Sequence, residues 1–345
     1  MAYTTIDDPT IYFNTKLYTA NASAGHAITG VGHQPDWLWI KQRSNTYNHE
    51  VFDSVRGATK RLLPNDTDTE TTVSGVTSFD SDGFTLGDAY NSNKDSGDSI
   101  VAWSWKAGTS FTNDASATGV GTIDSTGSIN TTAGFSIISY SGTGTAGTIA
   151  HGLGSTPKVI IVKVRNFATN WLVQHANVAS TKVLYFDTTN AATTDSVFND
   201  TLPTSSVFSV KTANGINASG KTYIAYCFSE IKGYSKFGSY TGNGNADGTF
   251  IYTGFLPAWI MVKPIDATQN WQIHDLKRLG YNVKNYNLSS NSTAAEAEND
   301  FMDIVSNGFK IRRSNVLNVS GENYIYWAFA ESPFVNSNGV PNNAR

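Results

Sequence analysis

Apolar and polar positions along this chain fall into short runs, and the same runs come three times. PDWLWIKQR begins at Pro35, PKVIIVKVR at Pro157 and PAWIMVKPI at Pro257. Each is a continuous apolar stretch closed by a lysine six places after the proline, at Lys41, Lys163 and Lys263. Runs this short predict strands covered on both faces. A proline is tolerated at the first residue of such a strand, where no ladder bond is lost. A second run closes each copy: SGDSIVAWSWKAG from Ser96, SGKTYIAYCFSEIKG from Ser219 and SGENYIYWAFAESPF from Ser320. In the last, Tyr324, Tyr326 and Ala328 alternate with Ile325, Trp327 and Phe329, the period of a strand. Between the two runs lie DGFTL, SSVFSV and NGFKI, with Asp82-Gly83 and Asn307-Gly308 as tight-turn dipeptides. Helical periodicity is scarce, and STAAEAENDF at 292–301 is the best candidate for one short helix.

Spacing turns these likenesses into a repeat. From Pro35 to Ser96, Pro157 to Ser219 and Pro257 to Ser320 the intervals are 61, 62 and 63 residues. A tyrosine stands 17 places before each proline (Tyr18, Tyr140, Tyr240) and a glycine three places before it (Gly32, Gly154, Gly254). Units of about one hundred residues are too long for solenoid repeats, which run roughly 20–50. They have the size of small domains. The expected architecture is all-β: three tandem homologous β-sandwich domains of jelly-roll-like form, at 1–108, 134–233 and 234–345. The segment 109–133 lacks Lys and Arg and is rich in Gly, Ser, Thr and Ala. It is expected to be a linker or an extended arm lying along the surface.

Composition narrows the functional classes. The 345 residues carry 24 basic and 28 acidic side chains, with no basic stripe to suit a nucleic acid. No apolar run approaches a membrane span, and MAYTTIDDPTIYF, without a positive n-region or an apolar h-region, is not expected to act as a secretory leader. The single cysteine, Cys227, allows no intrachain disulfide, so the chain is expected to hold together by packing in a reducing compartment.

Candidate chemistry is thin. Asp53 and Asp275 sit 18 places after their prolines, and Arg56 and Arg278 sit 21 after. The second copy has His175 and Val178 in those slots. A catalytic pair would not be lost from one copy in three, so these are expected to be structural turn or ion-pair positions. NGNADG at 243–248 resembles part of a calcium loop, but Gly254 stands where the bidentate acid is required. A turn is expected instead, with no metal and no cofactor. None of the six histidines shows a ligand spacing. Glu296, Glu298, Asp300 and Asp303 crowd one stretch that reads as a solvated polar face, not as two carboxyls across a cleft. No catalytic residue is expected. Trp171 and Trp271 fall 14 places after their prolines, where the first copy has His49. Trp37 and Trp39 share one strand face, with Trp103 and Trp105 expected opposite. Trp37, Trp39, Trp171 and Trp271 are therefore candidate binding or interface aromatics.

The phrases QPDWLWIKQRS, HEVFDSVRG, SFDSDGFTLG, GDSIVAWSWKAG, AGFSIISYSGTGTAGTIAHGLG, FGSYTGNGNADGTFIYTGF, VSNGFKIR and YIYWAFAESPF span nearly the whole chain. In these the chain resembles repeat-domain structural proteins of marine tailed bacteriophages, built from a domain of unknown function. The resemblance implies a non-enzymatic virion component assembled in the host cytoplasm, with other virion proteins as partners. A tail fibre or adhesion role, as a homo-oligomer, a trimer foremost, and in contact with host-surface glycan, is the leading expectation. A capsid decoration or head-fibre protein is the alternative, and a polysaccharide depolymerase a further one.

Overall fold

The computed structural model describes residues 3–88, 90–279, 282 and 285–342. It is all-β, built from antiparallel sheets. Each copy contributes a large sheet and a small one. In the first copy the large sheet runs, side by side, Phe13–Thr19, Ser99–Trp105, Trp37–Gln42, Glu50–Asp53, Gly57–Leu62 and Thr71–Thr72. The third copy has the same order: Ser235–Thr241, Asn323–Pro333, Phe255–Pro264, Gln272–Asp275, Asn285–Ser289 and Ala297–Asn299. The closing strand of each copy thus lies beside its proline strand, as the matching phrases require. The small sheets pair His26–Thr29, Gly83–Leu86 and Val76–Asp80 in the first copy, and Gly147–Ala150 with Val207–Val210 in the second. In the third they pair Phe250–Tyr252, Gly308–Ile311 and Met302–Val305.

The low-charge segment after the first copy is sheet, not slack. Thr109–Asn113 and Ser125–Asn130 pair with each other and then with Phe135–Ser141, extending the second copy's large sheet to eight strands. The stretch at 292–301 is not a helix. Residues 293–296 are irregular, and Ala297–Asn299 pairs as an edge strand with Asn285–Ser289. Tertiary pairing overrides its Ala- and Glu-rich helix propensity.

Every strand of the proline phrase is buried along its length, at Trp37–Gln42, Val159–Val164 and Phe255–Pro264. The reason is a two-layer burial. One face of each large sheet meets its own small sheet, making three separate cores around Phe84, Phe208 and Phe309. The other face meets the corresponding faces of the other two copies in one shared core. There Trp37 stacks on Tyr226 of the second copy with ring centroids 4.8 Å apart, and Trp105 meets Trp259 of the third at 5.7 Å. Phe228 of the second copy meets Phe329 of the third at 5.8 Å. Aromatic rings bury large apolar areas, and their pairing adds about 0.5–1.5 kcal/mol per contact.

This corrects the expected placement of the tryptophans. Trp37 is the cross-strand partner of Trp105, and Trp39 of Trp103, so all four lie on one face. That face is turned to the shared core, and none of Trp37, Trp39, Trp171 and Trp271 is more than 2% exposed. They are interface aromatics between copies of one chain, closed to any external ligand.

Two landmarks acquire physical roles. The tyrosine before each proline donates its hydroxyl to a backbone carbonyl just ahead of the Ser-Gly phrase: Tyr18 to Ser92 at 2.9 Å, Tyr140 to Ile216 and Tyr240 to Leu317 at 2.7 Å. At Asp82-Gly83 only glycine fits, because its φ is +153° and a Cβ would stand 1.9 Å from the carbonyl oxygen of Ile28.

Candidate functional site

The three copies meet along three seams, and each seam is built from equivalent residues. At position 14 after the proline, Trp171 donates its indole N–H to the carbonyl of Leu63 at 2.9 Å, and Trp271 does so to Tyr185 at 3.1 Å. His49 completes the cycle through Nε2 to the carbonyl of Ser289 at 3.0 Å. Its Nδ1 accepts from the Trp39 indole at 2.9 Å. Because an indole can only donate, His49 carries its proton on Nε2. Burial, helped by Lys41 and opposed by the Ser289 contact, pushes His49 well below its ordinary value and keeps it neutral. The copies are therefore bonded second to first, third to second and first to third, a closed ring within one chain.

Backbone bonds follow the same cycle. Glu70 N–H donates to Arg165 at 2.8 Å, Ala192 to Ile265 at 2.9 Å and Glu296 to Arg43 at 2.8 Å. The conserved-register lysines act here too. Lys163 Nζ donates to the carbonyl of Thr67 at 2.8 Å across the first seam, and Lys263 to Thr189 at 3.1 Å across the second. Lys41 instead donates to Gln42 at 2.7 Å and Asn45 at 3.2 Å within its own copy. All three are 0% exposed. Their burial lowers each ammonium to about 8.

Asp53, Arg56, Asp275 and Arg278 lie in two of these seams. Asp53 pairs with the Arg56 guanidinium, accepts the Arg56 N–H at 2.8 Å and takes the Tyr226 hydroxyl of the second copy at 2.6 Å. Arg56 reaches on to Glu70 at 3.2 Å, which is held by Arg165 of the second copy in a two-pronged contact at 2.9 Å. Burial works against the Glu70 carboxylate, but the Arg165 and Arg56 guanidinium groups hold it below its ordinary value. In the third copy Asp275 pairs with Arg278 at 2.5 Å and accepts the Trp103 indole of the first at 3.0 Å. Arg278 reaches Glu296 at 2.8 Å, and Glu296 is forked by Arg43 of the first copy at 2.7 and 2.9 Å. Glu296 is thus a seam residue, where the sequence suggested a solvated face.

The remaining seam, between second and third copies, lacks the carboxylate–guanidinium network. His175 and Val178 replace the Asp–Arg pair, and Ala192 faces Ile265 where the others set glutamate against arginine. One seam in three forms without these charges.

The other candidates resolve into turns. In NGNADG the amide of Asn318 donates to Asn243 Oδ1 and to the Asn245 carbonyl, both at 2.7 Å, and Asp247 is engaged by Lys310 at 2.5 Å. Asn217 clamps the matching loop of the second copy through Thr145 and Lys211. These buried asparagines were legible only as the Asn of NASG and NVSG. Among the described residues no three His, Cys, Asp or Glu side chains could hold a metal ion. An open cleft of ≈ 490 Å³ is lined by Thr122, Asp124, Ser125, Thr126, Ser139 and Thr143 among others. Its one carboxylate, Asp124, accepts the Ala115 N–H at 2.8 Å. Among the described residues no helix is long and apolar enough to cross a membrane.

Three homologous sandwich-like units closed into a ring around a shared aromatic core define the class of this molecule. The chain belongs to the family described as "Domain of unknown function (DUF7483)", whose model matches residues 8–333. That match spans all three copies, so the family unit is the whole ring. No curated protein and no solved structure matches the chain.

Proposed function

We propose that this protein is a non-enzymatic structural component of a bacteriophage virion, in the tail fibre or adhesion apparatus. The phage setting rests on the resemblance of its phrases. The structural role rests on one observation: the Asp53–Arg56 and Asp275–Arg278 pairs and the buried Lys163 and Lys263 ammonium groups, which would suit catalysis, are bonded to one another or to carbonyls inside the seams. A depolymerase would need two carboxyls facing each other across an open cleft, and the ≈ 490 Å³ cleft offers Asp124 alone. The threefold form that a fibre gains from three chains is supplied here by one chain. Its likeness to a trimer also favours a second reading, a decoration protein seated at a threefold position of a capsid.

Quantitative mass spectrometry of purified particles tests this. A copy number matching tail symmetry supports the adhesion reading, and one comparable to the major capsid protein supports decoration. Absence from particles removes both.

A further inference from the structure

The three copies serve as internal controls for their own surfaces. An inward Ile–Phe pair recurs in each small sheet: Ile28 with Phe84, Ile149 with Phe208 and Ile251 with Phe309. The residues flanking that isoleucine point to the opposite, outer face. They are Ala27 and Thr29 in the first copy, Thr148 and Ala150 in the second, and Phe250 and Tyr252 in the third. The fold therefore does not need aromatics there. In the second copy the arm covers this strand, with Ile123 bridged to Ile149. In the third, Phe250 is 47% and Tyr252 48% exposed.

The surroundings engage Tyr252 and place positive charge beside it. Tyr3 places its hydroxyl 3.2 Å from that of Tyr252 and donates to the Gly254 carbonyl at 2.9 Å. Lys232 stands 4.5 Å from the Tyr3 ring centre and Lys236 stands 5.4 Å from that of Tyr252. Two acidic groups are engaged elsewhere: Glu230, near the end of the second copy, accepts the Phe237 N–H, and Asp247 is paired with Lys310. Two side chains on alternate residues of a strand stand about 7 Å apart. That spacing offers a platform to successive rings of a chain ligand.

The geometry points to a binding site for an anionic polysaccharide on the outer face of the Phe250–Tyr252 strand. The C–H face of a pyranose covers an aromatic ring while its hydroxyls stay in water, and Lys232 and Lys236 supply cations for uronate carboxylates. The two exposed rings are far short of the ~800 Å² per partner of a stable protein interface, which favours a glycan over a protein. The biological setting rests on the adhesion reading, but the site can be tested on the purified chain.

The test is affinity electrophoresis in native gels cast with alginate, a polyuronate, or with neutral dextran. The intact chain is expected to be slowed by alginate and not by dextran. Phe250→Thr with Tyr252→Ala, which installs the second copy's residue types, is expected to weaken that retardation at least tenfold. The melting temperature of this variant should stay close to that of the parent, because neither side chain enters a core. Lys232→Gln with Lys236→Gln should weaken it while leaving the aromatics in place. No retardation by alginate, equal retardation by dextran, or retardation unchanged in the aromatic variant would overturn the assignment. Particle copy number bears only on the adhesion reading, so the two can fail separately.

Discussion

At the scale of single residues, burial without titration is the common theme. His33 and His151 are held down to about 4, and His175 and His274 to about 3, in each case by burial. An unfolded chain protonates these side chains near 6.5. Below that pH the unfolded state binds protons that the folded state refuses, so stability falls as pH drops from about 6.5 toward 3–4. Urea midpoints measured across this range should decline steadily, and a flat profile would contradict the burial of these rings. The three buried lysines act in the same sense at high pH: stability should climb between about 8 and 10, where the unfolded chain still holds protons that the folded chain has shed. Cys227 is fully buried and its thiol is pushed up to about 12 by burial. It should not react with a thiol reagent until denaturant is added. Rapid native labelling would show the second copy's core to be open.

At the scale of elements, the two kinds of seam make a paired test. Removing one partner of a buried ion pair strands the other, at about 3–5 kcal/mol. Asp53→Ala should cost that much, since it leaves the fully buried Arg56 without its main partner and the Tyr226 hydroxyl without its acceptor. Asp53→His with Arg56→Val writes the second copy's solution into the first. It should cost less than Asp53→Ala alone, because buried charge is replaced by apolar volume. A double variant as unstable as the single one would mean that the charges do more than fill the seam. Trp171→Phe keeps most of the buried ring but leaves the Leu63 carbonyl without its donor. About 1–3 kcal/mol of destabilisation is expected in the same denaturation assay.

At the scale of the molecule, the shared core ties the copies together. Each large sheet leaves its inner face to the other two copies, so an isolated copy would expose Trp, Tyr and Phe rings to water. Calorimetry should therefore show one cooperative transition, with calorimetric and van't Hoff enthalpies in agreement. Three resolved transitions would mean that the copies are independent beads. The same closure leaves no vacant inner face for a further chain, and light scattering of the purified protein should give a monomer near 37.2 kDa.

The recurrence of the Pro–Lys and Ser-Gly phrases was enough to read three copies and their strand-rich character from sequence. Core strands must satisfy the same packing in each copy, so their residues repeat. Alternation also tells which residues share a strand face. What alternation cannot tell is what covers a face. Trp37 and Trp39 look alike whether they meet solvent, a ligand or another copy, and Trp103 and Trp105 fell on their side only through strand register. Glu70 and Glu296 carry no local mark of their seams, because their partners Arg165 and Arg43 stand 95 and 253 residues away. The ring closes through contacts at that range. Sequence determined the repeated unit, since its own hydrophobic pattern specifies it. Only the tertiary structure decided that three units share one core, since that depends on surfaces brought together from across the whole chain.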